Sequence, residues 1–482
     1  IGLWNFMSFL LQGWFAWLLA SLITQNALTR FLTVGLFIFS PPMLFRLGLH
    51  AALAGHFLIL AALYLNLRQG KKYQALWWFF LLEVAVLTHF YLFVMVLALW
   101  LADLVHRHDF FCRNSIKSFV LELLGFLVLV LLTAWQAGYF AVSTFSAATG
   151  DYGFYNFNLL APFQADGWSY VFPSWPHPNN GEGFNYFGLG ILFALPFLFK
   201  FWIKKSTPNN PGPIFNVHRP LVFMLICLLL FAMSNHIVIG AWELTIPMPG
   251  VAYQFASILR GSGRLFWPIW YILVLCIIYG IVRSYPSKFA NSILFFALCI
   301  QIVDTSSGWL PKRSIFAMMP SAKMGTPLKN SFWQQAGGFY KNVERSLLPI
   351  SPTYYYVGWD TWAKYAAQYQ LGTNSAWLSR YNQSKLSAAN AKLNERLLTG
   401  SYDPKTLYIL ENDKLIPALL HLDPSNDLLA RIDGFYVLAP GWQVCNICPA
   451  VPPELLVHKE NLIPKLGEVI NFGRNQSGKY LL

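Results

Sequence analysis

The sequence predicts an all-α polytopic membrane domain of about ten spans, followed by a smaller extracytoplasmic α/β domain. Three observations predict it. The 482 residues are 56% hydrophobic and 17% aromatic but only 11% charged, where a soluble protein carries about a quarter charged residues. Apolar runs recur through residues 1–304, several near the roughly 18 residues needed to cross a bilayer. After residue 304 the chain turns to mixed polar and apolar segments. It opens at Ile1 already apolar and ends at "GKYLL", and reads as a piece trimmed at both ends.

Spans are predicted over 3–23, 29–43, 50–67, 74–89, 90–105, 118–139, 187–203, 220–240, 265–283 and 288–304. The stretch 74–105 is short for two crossings, so tilted helices, short helices or a break near Thr88-His89 are the expectations. Thirteen of the 34 Lys and Arg residues fall in links between these runs: Arg30; Arg68, Lys71 and Lys72; Arg107, Arg113 and Lys117; Lys200, Lys204, Lys205 and Arg219; Arg283 and Lys288. Basic links are cytoplasmic by the positive-inside rule. The net charge of +13 is thereby explained without a nucleic-acid partner. Alternation then places 40–50, the turn near His89, the loops 140–186 and 241–264, and residues 305–482 on the far side.

In the second domain, "FWQQAGGFYKNVERSLLPI" reads as an amphipathic helix running into a strand. "WDTWAKYAAQYQ" and "KLSAANAKLNERLLTG" read as helices, the second stopped by Gly400. "KTLYIL" and "LARIDGFYVLAP" read as strands. There is no Gly-rich phosphate loop after a strand, so a nucleotide site is not expected. Cys445 and Cys448 form "CNIC", which suits a local disulfide in an oxidising compartment. A lone CxxC is a weak signal for zinc or redox chemistry.

The candidate site residues gather on the far side. Arg46 and His50 stand four positions apart just before a span, a spacing that shares one face if helical. They suit an anion grip at the membrane surface or, for Arg46, interfacial snorkelling. His56 lies further in. His89 at the outer turn could bond a substrate, act as acid or base, or cap a helix. Glu83, inside a span, is read as a structural acid paired with a polar group. The long aromatic loop 140–186 offers Asp151, Asp166, His177 and Glu182 as acid–base groups or metal ligands, at spacings that fit no motif. These residues leave room for a divalent metal without identifying one.

The stretch "RGSGR" places Arg260 and Arg264 at the N-terminus of the 265–283 helix. Free N–H groups and the helix dipole favour anions there. Two guanidiniums can chelate phosphate oxygens, and Gly261 and Gly263 let a backbone approach closely.

The segments "GLWNFMSFLLQGWFA", "SPPMLFRLGLHAALAGHFLIL", "LTHFYLFVMVLAL" and "SGRLFWPIWYI" resemble a bacterial family of multi-spanning proteins of unassigned function. That family is similar to the GT-C glycosyltransferases. The likeness runs from residue 1 to about 303 and continues into "YAAQYQLGTNSAWLSRY" and "IDGFYVLAP". It implies an enzyme of the bacterial inner membrane that takes a sugar from a polyprenyl-phosphate donor at the extracytoplasmic face and passes it to a glycan or protein acceptor. The family's catalytic acid lies in the first outer loop, which would precede Ile1. What carries over to this chain is a phosphate-holding role for Arg260 and Arg264, and for Arg46. A lipid-linked glycan transporter and a non-catalytic envelope assembly protein are the alternative readings.

Overall fold

The computed structural model describes residues 2–48, 50–68, 72–108, 111–140, 152–174, 181–203, 218–318, 326–346, 358–376, 382–446 and 448–458. The chain divides into two compact units, Ile1–Pro320 and Ser321–Leu482.

The first unit is helical. It runs through α1 (Gly2–Ser21), α2 (Ala27–Ile38), α3 (Pro41–Arg46), α4 (Phe57–Leu67), α5 (Gln74–Thr88), α6 (Phe90–Arg107) and α7 (Arg113–Gln136). Further along come α8 (Leu189–Ala194), α9 (Phe199–Ile203) and α10 (Arg219–Met233). A hairpin, β1 (His236–Ile239) and β2 (Trp242–Thr245), leads to α11 (Gly250–Ser257), α12 (Trp267–Ser284) and α13 (Ser287–Met318).

Among the described residues, six stretches are long and apolar enough to cross a membrane: Gly2–Ser21, Ala27–Arg46, Phe90–Arg107, Arg113–Gln136, Ser262–Ser284 and Ser287–Ser314. This is an integral membrane protein. The other apolar helices, Ala51–Leu67, Gln74–Thr88, Leu189–Phe201 and Arg219–Met233, are shorter. Of the about ten spans expected from sequence, six are thus helices of spanning length, and the other four fall on these shorter apolar helices. Local features mark several breaks in these runs. Ser234 takes a positive φ of 61° and stops α10 at Met233, so the expected span 220–240 ends in a hairpin. Pro196 falls within the Leu189–Phe201 stretch and gives a 3-10 turn over Leu195–Leu198. His89 is fully extended between α5 and α6, which is the break expected near Thr88-His89. In the second span, Ser40 stops α2, and Pro41-Pro42 open α3, where a missing N–H costs nothing.

One apolar cluster joins the membrane helices, with Trp78, Trp100, Trp267 and Trp270 fully buried. By contrast α7 buries only Phe126 and Ala134, as suits a helix turned to lipid. It is tied to α5 by a bond from Thr133 Oγ1 to Glu83. Near the other end of α5, Asp103 accepts from Trp78 Nε1 at 2.7 Å and from Arg107 Nε at 2.6 Å. Arg107 also donates to Glu122 of α7 at 2.6 Å.

Polar residues on α13 fasten the irregular segments. Gln301 Oε1 accepts from Gly190 N at 3.0 Å and Ile191 N at 3.3 Å, and Nε2 donates to Phe39 O at 3.2 Å and Phe187 O at 3.0 Å. Asp304 accepts from Ser169 Oγ at 2.7 Å and Tyr170 N at 3.1 Å. Such partners are required where helices begin or end within the apolar layer.

The second unit holds α14 (Phe332–Phe339), β3 (Asn342–Arg345), α15 (Trp359–Tyr369), β4 (Gly372–Thr373), α16 (Gln383–Thr399), β5 (Thr406–Leu410), α17 (Leu415–His421), β6 (Leu428–Ile432) and β7 (Phe435–Ala439). The sheet order is β4-β3-β5-β7-β6, parallel on the β4–β3–β5 side and antiparallel beyond. β5 is buried along its whole length. The segment "LARIDGFYVLAP" is a hairpin turned by Asp433-Gly434, both at positive φ, as a type I′ turn requires. Asp433 Oδ2 accepts from the N–H groups of Lys329 and Asn330 and from Trp333 Nε1. Cys445 and Cys448 form a disulfide.

Candidate functional site

Four breaks in the membrane unit bring two arginines, two histidines and one carboxylate together. The end of α3 supplies Arg46, which is 2% exposed, and His50 follows shortly after. The short turn Gly181–Gly183 carries Glu182. The 3-10 turn Ser262–Phe266, just before α12, carries Arg264. The extended link between α5 and α6 carries His89.

Arg46 Nη1 and Arg264 Nη2 each lie 2.5 Å from Glu182 Oε2. Arg264 Nε donates to the same oxygen at 2.8 Å, and Arg46 Nη2 donates to the Glu182 carbonyl at 3.0 Å. His50 Nε2 lies 3.5 Å from Oε1. Arg264 also stacks over Tyr91, 4.6 Å from the ring centroid, and Arg46 sits 5.4 Å from the Trp267 centroid. Behind Arg46, His56 packs on Trp267 at 4.1 Å and its Nδ1 is 2.8 Å from Tyr271 Oη. Three buried nitrogens in this layer, Arg46 Nε, His56 Nε2 and Trp267 Nε1, have no hydrogen-bond partner among the described residues.

Burial pushes the Glu182 carboxyl up, but the His50 hydrogen bond and the charges of Arg46 and Arg264 outweigh it, and the group is held well below the ordinary carboxylate range. A carboxylate this acidic holds no proton to give near neutral pH. It serves as the counter-charge that keeps two guanidiniums together. His89, in the link between helices, is lowered to about 4 by burial and then by the charge of Arg264, so its ring is neutral near pH 7. Its Nδ1 accepts from Tyr91 N at 3.2 Å, which assigns the ring proton to Nε2.

The glycines of "RGSGR" were expected to allow close backbone approach, and at Gly263 the approaching group is another stretch of the chain. A Cβ on Gly263 would lie 2.6 Å from Asn156 O and 2.9 Å from Gly183 Cα. Gly263 therefore admits the loop that carries Glu182. Asn185 Nδ2 fastens that loop by donating to Gly263 O at 3.1 Å. Gly261 N–H donates to Tyr91 Oη at 2.7 Å.

Of the residues singled out in the sequence, the fold brings together Arg46, His50, Glu182, Arg264 and His89. Arg260 goes elsewhere. It stands over the Tyr155 ring at 5.9 Å, because the 3-10 turn that begins after Gly261 aims residue 264 inward. The pair that shares an anion is thus Arg46 with Arg264, not Arg260 with Arg264. Asp166 lies in a left-handed Asp166–Gly167 turn. Asp151 and His177 fall outside the described residues. Sequence reasoning passed over Tyr91, Trp267 and Tyr271, although Tyr91 stands two residues after His89 and the other two follow Arg264 within one helix.

Among the described residues no group of three or more His, Cys, Asp or Glu is placed to hold a metal. Glu182 with His50 is a poor cation site on chemical grounds, since two guanidiniums already face the carboxylate. The centre carries two arginine charges against one carboxylate, and its surplus favours an anion.

Neither a curated protein nor a solved structure matches the chain. Residues 332–440 match the DUF6311 C-terminal domain. Residues 1–306, which contain every member of the Glu182 centre, match the Domain of unknown function (DUF6311), and the chain belongs to that family.

Proposed function

We propose that the membrane unit is a glycosyltransferase of GT-C type that uses a polyprenyl-phosphate sugar at the extracytoplasmic face of the bacterial inner membrane. The observation that carries this reading is the pair of guanidiniums, Arg46 and Arg264, meeting at one oxygen position at broken helix ends. The resemblance in "SPPMLFRLGLHAALAGHFLIL" and "SGRLFWPIWYI" supports it, because those two segments supply the two arginines. A phosphate oxygen takes the place of Glu182 Oε2 between them. The acceptor hydroxyl oxygen attacks the sugar C1, the C1–O bond to phosphate breaks, and the electron pair leaves on the phosphate oxygen. The guanidiniums stabilise that developing charge. The hydroxyl proton passes to a general base. Neutral His89 donates a hydrogen bond from Nε2 to donor or acceptor.

The test uses membranes containing the native chain, Arg46→Gln or Arg264→Gln, with radiolabelled polyprenyl-phosphate sugars as donors. Both variants are expected to lose label transfer and to lose retention of farnesyl phosphate while keeping their membrane abundance. Undiminished transfer in both removes the reading. A second reading, a lipid-linked glycan transporter, is favoured by the helix breaks at Ser40 and His89, since transporters bind substrate at discontinuous helices. It predicts movement of lipid-linked sugar across vesicles without any new glycosidic bond.

A further inference from the structure

The hairpin between α10 and α12 has one face without a single charge. Cross-strand pairing sets Ile239 opposite Trp242 and Ile237 opposite Leu244, and alternation puts these four on one side. Ile239 is 40% exposed, Trp242 55% and Leu244 44%. Ile246 and Met248 continue the exposed apolar run, and Val251 and Phe255, one helical turn apart on α11, extend it. The opposite face is polar or covered. Val238 is buried, and His236 bonds Thr245 Oγ1 at 2.6 Å and Glu243 at 2.8 Å.

Two features fix what covers the apolar side. The hairpin is tethered to apolar helices at both ends, starting three residues after Met233 of α10 and leading through α11 to Trp267 of α12. It is therefore held at the level where those helices leave the bilayer. Its backbone sets the depth. β1 is engaged on one side by the segment 156–159, through Leu159 N to Val238 O at 2.9 Å and paired bonds between Asn158 and Gly240 at 2.9 Å. Among the described residues β2 has only β1 as a neighbour in its two-stranded sheet, and an open strand edge is not tolerated in hydrocarbon but is satisfied among headgroups.

We propose that the β1–β2 hairpin lies in the headgroup layer of the leaflet on the Glu182 side, with Ile239, Trp242 and Leu244 in contact with acyl chains. Trp at such a boundary places its ring in the apolar layer and its N–H toward water. The hairpin then forms a lipid-facing approach to Arg264, which the same connection carries. This contact stands whether or not the centre transfers sugar.

The test places p-benzoylphenylalanine at Trp242, at Leu244 or at Glu243 of the full chain in phosphatidylcholine vesicles, and reads photo-adducts by intact-protein mass. Lipid-mass adducts are expected at 242 and 244 in several-fold excess over 243. With a fluorescent coumarin amino acid at 242, lipids brominated near the headgroup are expected to quench more than lipids brominated at the chain ends, for a depth of about 5–10 Å. Equal adducts at all three positions, adducts joining two copies of this chain, or no lipid quenching would overturn the proposal.

Discussion

Arg46 and Arg264 hold the same oxygen, Oε2 of Glu182, from two segments distant in the chain. Like charges converge there because one carboxylate lies between them. The stability of this arrangement and its usefulness depend on the same residue.

Replacing Glu182 with Gln leaves two buried or nearly buried cations facing each other without a counter-charge. Removal of one partner from a buried ion pair typically costs ~3–5 kcal/mol. Glu182→Gln is expected to unfold at a clearly lower temperature in detergent than the native chain, and addition of inorganic phosphate is expected to restore part of the difference. A variant as stable as the native chain would show that the guanidiniums do not need the carboxylate.

Acid exposes the same dependence. Glu182 has its pKa depressed in the folded state relative to an ordinary value of 4.5. Its contribution is complete above that ordinary value and declines as pH falls toward the folded-state value. Between pH 6 and 3, thermal unfolding of the native chain is expected to lose stability more steeply than that of Glu182→Gln. Parallel curves would remove the assignment.

Tyr91→Phe tests the fastening of the turn before α12. Its hydroxyl accepts the Gly261 N–H in a buried position, and an orphaned buried donor costs roughly 1–3 kcal/mol. The ring remains beneath Arg264. Loss of thermal stability without loss of farnesyl phosphate retention is expected; equal loss of both would place the hydroxyl in the binding site itself.

Gly263→Ala tests the loop contact. The added methyl meets the backbone at Asn156 O and Gly183 Cα, and neither can move as a side chain would. Retention of farnesyl phosphate is expected to fall while the adjacent Gly261→Ala, whose Cβ meets Tyr91 Oη at 3.1 Å, falls less. The reverse order would show that Gly261 carries the closer constraint.

The apolar runs were legible because spans declare themselves by composition. The hairpin was not, because "HIVIGAWELTI" continues an apolar run and its strand alternation is masked by Ile on one face and Val on the other. The turn at Gly240-Ala241 was its one visible sign. Arg46, His50, Glu182, Arg264 and His89 were each identifiable as polar residues between or at the ends of apolar runs. Their meeting was not, since Glu182 lies 136 positions from Arg46 and 82 from Arg264, and nothing local relates them. Arg260 and Arg264 look equivalent in "RGSGR"; a single 3-10 turn separates their directions. In the second unit, a helix stop such as Gly400 is a local signal and was readable for that reason, whereas "LARIDGFYVLAP", read as strand, folds back at Asp433-Gly434 into a hairpin.

Gln301 makes all four hydrogen bonds its amide allows, two given and two received. No other side chain except Asn has that valence, and Asn is one carbon shorter. The acceptors it serves are Phe39 O, just before the turn into Arg46, and Phe187 O, just beyond the loop of Glu182. The two halves of the anion centre thus hang from one peg on α13. A shift of that helix along its axis would carry both halves together and keep their spacing, whereas Gln301→Glu would turn two attractions into repulsions and let the halves part. Rigid coupling of this kind lets a charged centre persist between helices that otherwise end in mid-course.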